Sequence, residues 1–225
     1  MVFFITIMEW IGTVAFAVSG AFVAIEKKMD YFGICFLAII TAIGGGIIRD
    51  TLVNRSYPAG LADPRYAIVS IVTAFVVIVF YNKIKKLHHL VSIADGIGLA
   101  AFTAIGARVA VIAGHNTMYS VITMAVLTGT FGGVLRDVFA NEKPRCFCRE
   151  VYAAAAIIGA IGFEISYDYI GMHTAMYASF AITLAVRLYA MYHDLHLWRV
   201  DLEGRAERRA ERREKRTKRK AKELQ

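Results

Sequence analysis

The sequence has few of the residues that interrupt helices or cross-link a chain. Of its 225 residues, three are prolines and three are cysteines. Cys35, Cys146 and Cys148 are too few and too poorly placed for a disulfide framework. Cys146 and Cys148 could begin a metal site, but no further Cys or His cluster completes one. We therefore predict no disulfide, no bound metal and no cofactor.

The sequence also lacks the motifs of an enzyme. Its six histidines are predicted to lie in loops or at helix ends, none of them at metal-ligand spacing beside a buried acid. No nucleophile motif is present. The first ten residues, MVFFITIMEW, carry no positive region of the kind that begins a secretory signal. We interpret them as the start of a first membrane-spanning helix and do not expect an enzyme.

Long apolar runs dominate what is present. Hydrophobic residues make up 57% of the chain and the mean hydropathy is +0.51, whereas soluble domains are about 45–50% apolar. A helix needs roughly 20 apolar residues to cross the hydrocarbon layer. The sequence therefore predicts an all-α membrane protein with seven transmembrane helices. These are residues 2–25, 31–53, 66–81, 91–113, 118–140, 150–168 and 172–193.

Lysine and arginine are divided unevenly between the predicted loops. One side has Arg55 and Arg65 and little else. The other side collects Lys27, Lys28, Lys83, Lys85, Lys86, Lys143, Arg145, Arg149 and a basic tail, residues 194–225. The positive-inside rule then places the C-terminus in the cytoplasm and, with seven helices, the N-terminus outside. No aromatic residue interleaves the charges from Arg199 onward, so we expect this tail to contact anionic lipid headgroups rather than nucleic acid.

The sequence contains an internal duplication. AIGGGIIRDTLVN begins at residue 42 and GTFGGVLRDVFAN at residue 129, so a shift of 87 aligns two copies of Gly-Gly-x-x-Arg-Asp. A shift of 86 aligns Glu9 with Asp95, and Tyr66 with Tyr152, in the helices on either side. Each copy holds three helices, an odd number, so the copies enter the membrane from opposite sides.

This pattern predicts an inverted-repeat architecture. The first three-helix repeat is predicted to span residues 1–82 and the second 83–168. A seventh helix (169–193) and the tail (194–225) follow without partners. Transport proteins built from inverted repeats place their pathway at the interface between the repeats.

The motif glycines have two possible roles. They are Gly44, Gly45, Gly46, Gly132 and Gly133. Each weakens a helix by about 1 kcal/mol relative to alanine, and irregular backbone is tolerated in a membrane only against protein or a water-filled cavity. We favour kinks whose freed backbone groups line a path, with Ser19, Thr41 and Thr128 adding side-chain oxygens. The alternative is close helix packing through small residues.

The motif charges are Arg49, Asp50, Arg136 and Asp137. Neighbouring residues on a helix point about 100° apart, so an arginine is not expected to pair with the aspartate beside it alone. We predict instead that Arg49 pairs with Glu9 and that Arg136 pairs with Asp95. The two motif aspartates would then be partly free to face the pathway. Arg108 is predicted to lie at the outer level of the membrane and Arg187 at the inner level.

Two copies of Gly-Gly-x-x-Arg-Asp in a three-plus-three-plus-one arrangement resemble the trimeric intracellular cation channel (TRIC) family, in its short prokaryotic branch. The resemblance covers about residues 5–193. It implies a homotrimer in a prokaryotic inner membrane, with an hourglass-shaped pore in each subunit and kinks at the glycine motifs. It also implies that monovalent cations, chiefly potassium, pass between the repeats. One departure is Phe131, which replaces the third glycine of the second motif and is expected to narrow the cytoplasmic half of the pore.

Two functions remain open at this point. The first is a monovalent cation channel for potassium or sodium, whose pathway requires the arginines to be neutralised or to face away. The alternative is a secondary transporter for a small zwitterion such as glycine, in which Arg49 or Arg136 meets the solute carboxylate.

Overall fold

The protein is all-helical across residues 2–85, 89–148 and 151–195, which the computed structural model describes. Within these ranges it has nine α-helices: α1 (Val2–Glu26), α2 (Tyr31–Leu52), α3 (Ala59–Ala62), α4 (Pro64–Ile84), α5 (Leu90–Ile112), α6 (Met118–Phe139), α7 (Arg145–Cys148), α8 (Tyr152–Ile170) and α9 (Met172–Tyr192). All except α3 and α7 are long and apolar enough to cross a membrane. The predicted all-α fold with seven spans is confirmed. Most of the predicted basic tail lies outside the described residues.

The helix ends follow from local sequence. Asp30 caps α2 and Asp63 caps α4, each accepting a hydrogen bond from a backbone N–H of the first turn, and Pro64 opens α4. Arg65 donates hydrogen bonds to the Asp63 carboxylate and thereby lowers its pKa. Asn residues in the left-handed region follow α2 and α6, with φ of 56° at Asn54 and 54° at Asn141, a conformation that asparagine tolerates better than most residues.

The order of the elements repeats along the chain. Two long helices, one four-residue helix and a third long helix occur as α1 to α4 and again as α5 to α8, and α9 follows. Phe16 and Phe102, which the shift of 86 aligns, stack on each other with ring centroids 5.3 Å apart. Contact between equivalent residues is expected where a two-fold axis relates two copies. The axis therefore passes between α1 and α5, while the domain boundaries themselves stay a prediction.

Helices α2 and α6 cross close to this axis at backbone contact. A Cβ atom on Gly45 would collide with the carbonyl oxygen of Thr128, and a Cβ on Gly132 would collide with the carbonyl oxygen of Thr41. The two contacts are reciprocal, since a shift of 87 maps one pair onto the other. Glycine at these two positions is required by the close approach of the helices.

The glycine motifs do not interrupt the helices. Helix α2 is continuous from Tyr31 to Leu52 and α6 from Met118 to Phe139, so the prediction that the helical hydrogen-bond ladder opens there is wrong. Close packing, the alternative, accounts for Gly45 and Gly132. A bend of the helix axis stays a prediction. Thr41 and Thr128 are fully buried, and each hydroxyl donates to a backbone carbonyl of its own helix.

We predict that Gly45→Ala lowers the thermal stability of the detergent-solubilised protein. The new methyl group meets a backbone carbonyl that cannot move cheaply, and overpacking of this kind costs about 1–3 kcal/mol. Gly46→Ala is the matched control within the same motif, because the atom nearest to its Cβ is an arginine nitrogen at 3.7 Å. A helix destabilised mainly by glycine flexibility would instead be stabilised by both substitutions.

Candidate functional site

Two clusters of charged and aromatic side chains lie inside the helical bundle. We call them the Glu9 cluster and the Asp95 cluster. The Glu9 cluster consists of Glu9, Arg49, Asp50, Tyr66 and Arg108, and the Asp95 cluster of Asp95, Arg136, Asp137, Tyr152 and Arg187. Four pairs of these residues are related by the duplication, and the fifth members, Arg108 on α5 and Arg187 on α9, are not. Each cluster carries two carboxylates and two guanidinium groups, so its formal charge is zero. Outside the Glu9 cluster, the exposed Arg55 lies 3.7 Å from Oδ2 of Asp50.

In both clusters the arginine pairs with the aspartate next to it. The Nε of Arg49 donates to Oδ1 of Asp50 at 2.8 Å, and the Nε of Arg136 donates to Oδ1 of Asp137 at 2.8 Å. The long arginine side chain folds back across the 100° between neighbouring residues. The expectation that an arginine would not pair with the adjacent aspartate alone is confirmed for Arg136, which also pairs with Asp95, and is wrong for Arg49. Both aspartates are buried, with 0% and 1% of their surface exposed.

The second carboxylate oxygen of each aspartate holds a short helix. Oδ2 of Asp50 accepts from the backbone N–H of Ala59 at 2.8 Å, and Oδ2 of Asp137 accepts from that of Arg145 at 2.8 Å. Ala59 and Arg145 are the first residues of α3 and α7, where unpaired helix N–H groups favour a negative charge. The prediction that these aspartates are partly free to face a pathway is therefore wrong.

The short helices α3 and α7 were not predicted from the sequence, although the sequence contains a signal for them. Pro58 and Pro144 precede α3 and α7 and are aligned by the shift of 86. A proline just before a helical turn is a common start signal. The two aligned prolines lie in the loops that follow α2 and α6. They could have indicated a helical turn in each loop whose N–H groups need a capping carboxylate.

The two clusters differ in the partner of the acid on the first helix of each repeat, Asp95 or Glu9. Arg136 also donates to Asp95 and to the hydroxyl of Ser19, so the predicted Asp95–Arg136 pair is confirmed. Glu9 instead accepts a hydrogen bond from the Tyr66 hydroxyl at 3.1 Å. Among the described residues, Glu9 and Arg49 form no ion pair within 4.0 Å, since the guanidinium is turned to Asp50. The prediction of a Glu9–Arg49 pair is wrong.

A small cavity occupies the space between Glu9 and Arg49. Its volume is about 30 Å³, and Thr13, Gly46 and Tyr66 are among the residues that line it. A bound water needs roughly 10–15 Å³ of space measured in this way, so the cavity is large enough for one. Polar groups on several sides make it suitable for water. The Glu9 cluster can therefore be hydrated.

The two additional arginines each lie beside one of the clusters, and their outer and inner levels in the membrane stay a prediction. Arg108 is within electrostatic range of Glu9 and Arg49, and the guanidinium of Arg187 lies 5.0 Å above the ring of Tyr152. Stacking on an aromatic face stabilises a buried cation. Phe131, at the position equivalent to Gly44, is partly buried, and its predicted effect on a pore stays a prediction.

The duplicated helices and the paired clusters define a multi-pass membrane protein of the inverted-repeat class. A family model described as "Glycine transporter" matches the chain twice, at residues 6–82 and 92–168. The two matches correspond to the two copies read from the sequence.

Named relatives and solved structures identify the family. The UPF0126 inner membrane protein YadS of Escherichia coli is 35% identical over 203 residues, covering 88% of this chain and 98% of that protein. YvgT of Bacillus subtilis is 36% identical, covering 81% of this chain and 89% of that protein. A TRIC cation channel structure is 37% identical with a TM-score of 0.82, covering 88% of this chain and 98% of that chain. The Rhodobacter sphaeroides TRIC orthologue is 31% identical with a TM-score of 0.80, covering 85% and 98%.

The chain therefore belongs to the prokaryotic branch of the TRIC family, as the resemblance in the sequence implied.

We predict that Asp50→Asn and Asp137→Asn each destabilise the protein by an amount on the order of 3 kcal/mol, because removing one member of a buried ion pair leaves a charge poorly compensated. Chemical unfolding in detergent micelles measures this. The control is Asp63→Asn, which removes the same charge from an exposed pair with Arg65 and should leave stability nearly unchanged. Wild-type stability of both buried variants would contradict a structural role for these carboxylates.

Proposed function

We propose that this protein is a passive channel for monovalent cations of the potassium type, with a path inside each subunit between the two repeats. The observation that carries the proposal is the match to a TRIC cation channel structure, with a TM-score of 0.82 over 88% of the chain. Another structure of similar TM-score is that of a prokaryotic TRIC channel in 0.5 M KCl. We further propose a homotrimer in the inner membrane with the N-terminus outside and the C-terminus in the cytoplasm.

The neutrality of both clusters supports a pathway for cations. Uncompensated arginines beside a path would repel them. Arg49 is compensated by Asp50, and Arg136 by Asp95 and Asp137. The repulsion that these arginines would exert on a cation at the repeat interface is thereby reduced. The carboxylates contribute by neutralising these arginines rather than by standing free in the path.

The crossing of α2 and α6 is the proposed constriction. Gly45 and Gly132 bring the two backbones into contact there, and Thr41 and Thr128 beside them are fully buried. Conduction then requires the two helices to separate locally. Gly45 and Gly132 face backbone carbonyls of the opposite helix, whereas Leu135 of α6 packs against Gly44 of α2, so separation must also move that side chain. In the separated state the threonine hydroxyls, with Ser19 on α1, would supply oxygens to the ion.

A secondary transporter of glycine is the second candidate. The observation that favours it is the description of the matching family model. In this function Arg49, which lines the small cavity with Glu9, would meet the carboxylate of the solute, and the two halves would open alternately.

The test is conduction by the purified protein in planar bilayers under a potassium chloride gradient. We expect a reversal potential displaced toward the potassium equilibrium value and loss of current when a large organic cation replaces potassium with the same anion. Protein-free bilayers are the control. Radiolabelled glycine uptake into proteoliposomes should not saturate. A reversal potential of zero together with saturable, gradient-coupled glycine uptake would replace the channel by the transporter.

A further inference from the structure

A largely apolar groove lies between the beginning of α5 and the end of α9. Its volume is about 430 Å³, and it is lined by His89, Ile93, Leu188, Met191 and Tyr192. Ile93 and Leu188 are 39% and 41% exposed, and Tyr192 is 85% exposed. The groove is located at the ends of two membrane-spanning helices, where apolar side chains meet headgroups and water as well as acyl chains. A further apolar segment that covers it would be stabilised by burial.

The polypeptide leaves the axis of α9 beside this groove. Asp194 is in the left-handed region, with φ of 50°. The backbone N–H of Asp194 donates to the carbonyl of Met191 at 3.4 Å, and that of Leu195 donates to the carbonyl of Ala190 at 2.9 Å. These two bonds form the Schellman motif that ends a helix. The chain therefore stops following α9 two residues after Tyr192, which is part of the groove wall.

The sequence that follows supplies an apolar segment of suitable length. Residues 196–202, which lie outside the described ranges, read HLWRVDL, and from residue 203 onward charged residues dominate. The largest apolar side chain of the segment is Trp198. An aromatic side chain of this kind buries about 150–250 Å² when it is covered. Three extended residues span about 10 Å, so Trp198 is within reach of the groove from Leu195.

A carboxylate in the same segment complements the other wall of the groove. Helix α5 begins at Leu90 with no acidic residue in its first turn, and within the described residues its N-cap, His89, makes no side-chain hydrogen bond to that turn. Unpaired N–H groups at a helix N-terminus favour a negative charge. Asp201 follows Trp198 by three residues. A segment with Trp198 in the groove can therefore bring this carboxylate to the start of α5.

We propose that residues 196–202 dock in this groove, with the Trp198 ring against Ile93 and Leu188 and the Asp201 carboxylate at the N-terminus of α5. Only a few residues join the segment to α9, and such a short connection gives a high effective concentration at the groove. The contact fixes the place where the cationic part of the tail begins, at the surface formed by α5 and α9. The docking is independent of the conduction proposed above.

Disulfide cross-linking of the full chain in phosphatidylcholine vesicles tests the contact. The three native cysteines are replaced by alanine, and His89→Cys is combined either with Val200→Cys, inside the segment, or with Ala206→Cys, beyond it. A freely moving tail would cross-link both pairs at similar rates, because loop closure depends only weakly on length. Burial of a large apolar side chain favours the docked state by about tenfold or more. We therefore expect the Val200 pair to cross-link about tenfold faster, and equal rates would overturn the docking.

Insertion of Trp198 among lipid headgroups is the competing outcome, and tryptophan fluorescence separates the two. The chain has two tryptophans, so Trp10→Phe leaves the emission of Trp198 alone. In that background Leu188→Arg places a charge in the groove. Tyr189→Arg is the matched control, since Tyr189 is the next residue of α9, is 61% exposed and contacts His193 instead.

We expect Leu188→Arg to raise the quenching of Trp198 by aqueous acrylamide several-fold and Tyr189→Arg to leave it unchanged. Leu188→Ala removes the apolar contact without adding a charge, and it should shift the quenching in the same direction if the arginine variant folds poorly. Trp198 that is shielded equally in all variants would show insertion into the lipid and overturn the docking. Trp198 that is open to acrylamide even with Leu188 intact would overturn it as well.

Discussion

A charge buried inside a membrane protein must be neutralised by its neighbours, and the arrangement of the two glycine-containing helices depends on this constraint. Even lenient scales assign a cost of about 2.5–3.5 kcal/mol to a charged side chain at the centre of a membrane-spanning helix. Here each motif arginine is bonded to the aspartate that follows it, and that aspartate also caps a short helix. The last turn of each long helix is thereby fixed to the polypeptide that follows it.

The motif glycines have a different role from the motif charges: they allow two helices to pack closely. With the helix ends fixed, α2 and α6 meet near the axis that relates the two repeats, and Gly45 and Gly132 permit backbone contact there. The halves are nevertheless unequal. The Asp95 cluster is tied to the first repeat through Ser19, whereas the Glu9 cluster adjoins a cavity suited to water. The inverted symmetry of the two halves is therefore broken at these two places.

Much of this organisation follows from the sequence because duplication can be read as a constant shift in residue number. The seven spans and the pairing of Arg136 with Asp95 were predictable from that shift and from hydropathy. The neighbouring Arg–Asp bond was not, because helical geometry fixes where Cβ atoms point but leaves four side-chain torsions of arginine undetermined. Nor could the sequence separate a helix broken at Gly44–Gly46 from one packed there, since glycine favours both outcomes.

The claim that each motif aspartate neutralises its own arginine is tested most directly by a double-mutant cycle on Arg49 and Asp50. Arg49→Met and Asp50→Asn each remove one charge, and the double variant removes both. Unfolding free energies in detergent should show that the double variant is more stable than the sum of the two single losses predicts, by roughly 0.5–3 kcal/mol. Losses that simply add would mean that the two charges do not interact and would contradict the account.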